Sequence, residues 1–109
     1  MFYSLHLMYQ EFYEAINQQI DRLAERKLSL DHAADARPGP VAQNANLSPE
    51  TPGGYVSDKA SLQVQSARHL QISDRIETTA DTDPTTSNLF QEVKYMIDHQ
   101  LWMMRAHMK

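Results

Sequence analysis

The sequence predicts an all-α fold, a bundle of three long helices joined by one long crossover. Two observations carry that prediction. Apolar residues recur at steps of three or four over long stretches near both ends of the chain, the spacing that gathers side chains on one side of a helix. Chain-breaking residues fall between those stretches: all three glycines and four of the five prolines lie within residues 30–56. With 109 residues, 41% hydrophobic and 22% charged, the chain has the size and balance of one globular domain over residues 1–109.

The first helix is expected over residues 1–27, where Leu5, Met8, Phe12, Ile16, Ile20 and Leu23 step along one face. Phe2 and Tyr3 stand where a Ser or Asp would normally receive the free amides of a first turn, so the chain reads as though it starts inside a larger architecture. Pro38, Gly39, Pro40, Pro49, Pro52, Gly53 and Gly54 then break the pattern. A short helical turn is expected near residues 41–47. A crossover of this length suits two helices that run parallel and need a return path along the bundle.

The second long helix is expected over residues 57–79, with Ser57 as N-cap and Ala60, Val64, Ala67 and Leu70 on one stripe beside Ile72 and Ile76. A polar turn at residues 78–86 is short enough to make the second and third helices antiparallel neighbours. The third helix, residues 84–108, opens on Asp83-Pro84 as cap and first residue. Phe90, Val93, Ile97, Leu101 and Met104 form its buried face. Three helices leave one apolar groove open, and exposing Leu- or Phe-sized side chains forgoes about 1.5–3 kcal/mol each. Folding is therefore expected to depend on self-association.

Several functions are disfavoured by composition. The formal charge is −4 and the ten Lys and Arg residues are scattered, whereas a duplex ligand calls for a basic patch. Arg22, Arg26 and Lys27 come closest, but Asp21 and Glu25 interrupt them, and DNA binding is not expected. No apolar run approaches the roughly 20 residues a membrane helix needs, no secretory signal opens the chain, and there are no cysteines. A cytoplasmic protein without membrane partners is the expectation.

Two groups on the first helix could hold a metal: His6, and the pair Asp21 and Glu25, whose four-residue spacing points both carboxylates to one side. Beside Arg22 and Arg26, the same pair also fits an ordinary solvated face. His6 and Asp21 lie roughly 22 Å apart along a helix axis, too far for one ion to bridge in one chain. Two copies packed antiparallel about a two-fold axis would bring His6 of one to Asp21 and Glu25 of the other. Such imidazole and carboxylate donors suit iron, manganese or zinc.

Three stretches resemble a known family. Met1-Phe2-Tyr3-Ser4-Leu5-His6-Leu7-Met8-Tyr9 is similar to the opening of the second helix of the Dps mini-ferritins, the DNA-protection-during-starvation proteins of the ferritin-like superfamily. Asp21-Arg22-Leu23-Ala24-Glu25-Arg26 matches their Asp-x-x-Ala-Glu-Arg motif at the right distance from the His, and Leu101-Trp102-Met103-Met104-Arg105-Ala106-His107 resembles their closing segment. The resemblance implies a ferritin-like four-helix bundle lacking its first helix, either lost or left out by an internal start. It also implies a homo-oligomer, a dodecameric shell or a smaller assembly, that oxidises ferrous iron with hydrogen peroxide or oxygen and stores the ferric product.

On that implication iron is the metal, His6 is a ligand from one subunit, and Asp21 and Glu25 are ligands from its two-fold mate. Gln10, where the family usually carries an acid one turn after the His, and Trp102, expected near the packed face of the last helix, would flank the ligands. Asp81 and Asp83 are acidic candidates for a path by which iron enters. A ferroxidase acting in iron storage and oxidative-stress protection is therefore expected. The alternative is a non-catalytic helical assembly protein that keeps only the ferritin-like packing, which the Gln at position 10 favours.

Overall fold

A computed structural model describes residues 2–50, 53–79 and 83–109. The described residues form four helices: α1 (Phe2–Ser29), α2 (Pro38–Ala45), α3 (Asp58–Thr78) and α4 (Pro84–His107). The three long ones are those the periodicity predicts, and both expected caps are present. Ser57 Oγ accepts from the Ala60 amide, and the Asp83 carboxylate accepts from the Thr86 amide, with Pro84 at the first helical position. Within the crossover, α2 starts three residues earlier than expected and ends two earlier. Pro38 presets its first turn and Asn46, at φ 45°, ends it in the left-handed conformation that asparagine tolerates.

Contacts between helices give their directions. Along α3 and α4, Leu62 packs with Met104, His69 meets Gln100, and Ser73 meets Asp98, so the two run antiparallel. Arg26 reaches Asp83 while Leu5 and Met8 pack with Met104, so α1 and α4 are antiparallel too. Tyr9 bonds Ser61 and Phe12 tilts against His69, which makes α1 and α3 parallel and explains the long return path between them. That path is pinned to α3. Arg75 donates to the carbonyls of Ala45 and Asn46, and Gln71 bonds both the amide and the carbonyl of Ser48.

The core has two parts. Leu5, Met8, Phe12, Leu62 and Met104 fill one end, and Leu89, Val93 and Ile97, backed by Ile16, Leu23, Ile72 and Ile76, fill the other. On α4 the buried face is as expected except at Phe90, which is half-buried while its neighbour Leu89 turns inward. On α3 the expected stripe is displaced. Leu62, His69 and Ser73 face inward, whereas Leu70 is exposed.

Two polar side chains hid that face by being fully bonded. His69 Nδ1 donates to the Gln65 carbonyl at 3.0 Å and its Nε2 lies 2.8 Å from the Gln100 side-chain amide. Ser73 donates to Asp98 at 2.5 Å and accepts from Lys94 at 2.9 Å, while Lys94 also bonds Asp98 at 2.8 Å. Burial pushes the Asp98 carboxyl up, but the Lys94 and Ser73 bonds outweigh it and hold the group below the usual carboxylate range.

The expected open groove is present. A furrow of about 300 Å³ runs between α1 and α3, walled by Tyr9, Phe12, Tyr13, Ile16 and His69 with Met104 at its floor. No described helix is long and apolar enough to cross a membrane.

Candidate metal centre

His6, Gln10, Asp21 and Glu25 all lie on α1, so the helix itself sets their relationship. Successive residues turn by about 100°. The buried residues Leu5, Met8 and Phe12 share one sector, and Arg22 and Arg26 border it. His6, Gln10, Asp21 and Glu25 occupy the opposite, exposed side.

His6 is exposed, stacked on Phe2 with ring centroids 6.2 Å apart, and lines a cavity of about 180 Å³ with Tyr9, Asp58 and Ser61. Tyr9 donates or accepts at 2.9 Å with Ser61 there; burial pushes its phenol above the ordinary value, the Ser61 bond pulls it down, and the Asp58 charge adds to the rise.

Asp21 and Glu25 are both exposed, and the two arginines beside them in sequence do not neutralise them. Arg22 instead pairs with Glu92 on α4. Arg26 donates from Nε to the Thr86 hydroxyl and from Nη2 to Asp83, each at 2.9 Å. No described group forms an ion pair or hydrogen bond with the carboxylate of Asp21 or of Glu25. Glu25 edges a groove of about 490 Å³ between α1 and α4.

One chain does not bring the ligands together. Among the described residues there is no group of three or more His, Cys, Asp or Glu side chains able to hold an ion, and His6 and Asp21 stand roughly 22 Å apart along the axis of α1. A site built from these residues needs two copies of α1.

Two other positions differ from expectation. Trp102 is 64% exposed on the outer side of α4, its ring 5.6 Å from that of His99, and does not sit at the packed face. The reason is register: Leu101 and Met104 face inward, and a residue directly after Leu101 is carried about 100° away. Asp83 is spent on capping α4 and pairing with Arg26, and Asp81 lies outside the described residues.

One contact was not foreseen in the sequence. Gln10 donates from Nε2 to Glu14 Oε1 at 3.4 Å. The four-residue spacing of His6, Gln10 and Glu14 was its available signal.

Comparison with known proteins agrees with this architecture. DNA protection during starvation protein 2 of Deinococcus radiodurans is 34% identical over the whole of this chain, which spans about half, 46%, of that relative's length. The crystal structure of Dps92 from Deinococcus radiodurans superposes with a TM-score of 0.90 at 36% identity, over 95% of this chain and 65% of that one. The structure of Dps from Thermosynechococcus elongatus gives the same TM-score at 25% identity, over 99% and 71% of the two chains. The family model for the ferritin-like domain matches residues 1–109. The chain therefore belongs to the ferritin-like domain family, and its relatives there are Dps proteins.

Proposed function

We propose that this chain is a Dps-like iron-storage protein that binds ferrous iron at sites shared by two subunits and oxidises it with hydrogen peroxide or oxygen. His6 of one subunit and Asp21 and Glu25 of its two-fold mate are the ligands. Such a protein protects the cytoplasm by consuming peroxide and sequestering iron together. The observation that carries this reading is that Asp21 and Glu25, exposed on one side of α1, have no partner among the described residues while Arg22 and Arg26 are held by Glu92, Thr86 and Asp83. Of the two arginines only Arg22 stands at the three-residue spacing that could pair it with Glu25, and it is engaged by Glu92 instead.

Iron is substrate and cargo. The imidazole of His6 supplies a neutral nitrogen, and two carboxylates supply hard oxygens that offset the charge of the ion, a donor set that suits iron. In the overall reaction two ferrous ions each give one electron to one peroxide. Its O–O bond breaks, both oxygens end as oxide or hydroxide on ferric iron, and added water releases protons.

The test is anaerobic ferrous titration of the oligomer followed by peroxide, with the ferric absorbance read for the parent and for a D21N/E25Q variant. Loss of binding and of oxidation above the buffer rate in the variant is expected. Equal behaviour of the two proteins would overturn the reading in favour of a non-catalytic assembly, the alternative that Gln10 favours.

A further inference from the structure

The ridge that carries His6 continues as Gln10 and Glu14, each one turn on and about 40° further round the helix. All three are exposed, and Gln10 donates its amide N–H to Glu14 Oε1 over 3.4 Å. The chemistry of that contact fixes which way the amide faces. A carboxylate only accepts, so the NH₂ end must turn to Glu14, and a carbonyl oxygen placed there would meet like partial charge. The Gln10 carbonyl, the only part of this side chain able to ligate a cation, is then left on the side away from Glu14, and His6 lies one turn back in that direction.

We propose that Glu14 is a positioning residue that holds the Gln10 amide so that its carbonyl oxygen joins His6 as a metal ligand. The inference rests on the metal reading of His6. It explains how a neutral amide can serve where a third carboxylate would otherwise be expected: the hydrogen bond accepted at position 14 orients the amide and polarises its carbonyl.

Co(II), added alone to the full chain, is the probe, because its visible absorption reports the donor set without turnover. Four variants are compared with the parent: Q10A, E14A, E14Q and D21N/E25Q, each checked for helicity by circular dichroism. Q10A and E14A are expected to weaken Co(II) binding by about tenfold and to change the spectrum alike, the usual effect of losing an orienting partner. E14Q is expected to restore both, since a glutamine carbonyl at position 14 accepts the same N–H. If E14Q behaves like E14A, Glu14 acts through charge and the positioning role is overturned. It is overturned as well if the position 10 and 14 variants leave Co(II) binding unchanged while D21N/E25Q abolishes it. If D21N/E25Q has no effect, the shared-site reading itself fails and the inference falls with it.

Discussion

Arg26 and Asp83 tie α1 to α4 at one end of the bundle: Arg26 Nη2 lies 2.9 Å from Asp83 Oδ1, although 57 residues separate them. The same aspartate receives the Thr86 amide and hydroxyl, so one carboxylate caps α4 and anchors the C-terminal part of α1. The Thr86 backbone bond, then its hydroxyl, then the Arg26 charge hold this carboxyl below the usual range.

Asp83→Ala is therefore expected to destabilise the fold more than Asp83→Asn, because asparagine still caps the helix and loses only the charge toward Arg26 and the second oxygen that receives the Thr86 hydroxyl. The pH dependence has a definite sign. A depressed folded-state value means that stabilisation is complete above the unfolded aspartate value of about 3.9 and is lost as pH falls through the lower folded one. Thermal melts by circular dichroism between neutrality and strong acid should converge for parent and Asp83→Ala at the acid end. Parallel curves throughout would show that the carboxylate contributes nothing by its charge.

Two nearly adjacent positions on α4 should respond in opposite ways. Met104 is 0% exposed and packs with Leu5, Met8, Phe12 and Leu62, so Met104→Ala should cost about 2–5 kcal/mol. Trp102 is largely exposed, and Trp102→Ala should change stability by less than about 0.5 kcal/mol. Urea denaturation of both variants decides this. A large loss at Trp102 would place that ring in an interface between copies.

How much of this was legible in the sequence depends on which interactions are local. The long helices were readable because caps and periodicity act within one turn: Ser57 and Asp83 bond amides three residues away. The inner face of α3 was not, because His69 and Ser73 are satisfied by Gln100 and Asp98 on another helix, and an apolar-residue count passes over buried polar groups. The candidate site was half legible. His6, Asp21 and Glu25 announce themselves by type and spacing, but the fate of Arg22 and Arg26 depends on Glu92 and Asp83, which no local pattern connects to them.

Self-association is the next expectation. Phe2, Tyr13 and Ile20 are 74%, 68% and 54% exposed on one side of α1, next to the open furrow. Clustered apolar exposure of this kind marks an interface. Sedimentation velocity should show an oligomer at micromolar concentration, with helicity falling on dilution. Tyr13→Glu with Ile20→Glu should shift the distribution to smaller species. A monodisperse, fully helical monomer at low concentration would contradict the expectation.

The proposed shared site also fixes a register that can be tested without metal. Setting His6 opposite the midpoint of Asp21 and Glu25 in an antiparallel pair puts the two-fold axis beside positions 14 and 15, so Glu14 lies opposite its own symmetry mate. Gln18 would face position 11 of the partner, and its own mate would be about 10 Å away along the axis. A disulfide needs Cα atoms within about 7 Å, and the chain has no cysteine of its own. Glu14→Cys should therefore cross-link into a covalent dimer under mild oxidant, and Gln18→Cys should not. Cross-linking only at position 18 would mean a shifted register that cannot bring His6 to both carboxylates, and equal cross-linking at both would mean unspecific association of α1.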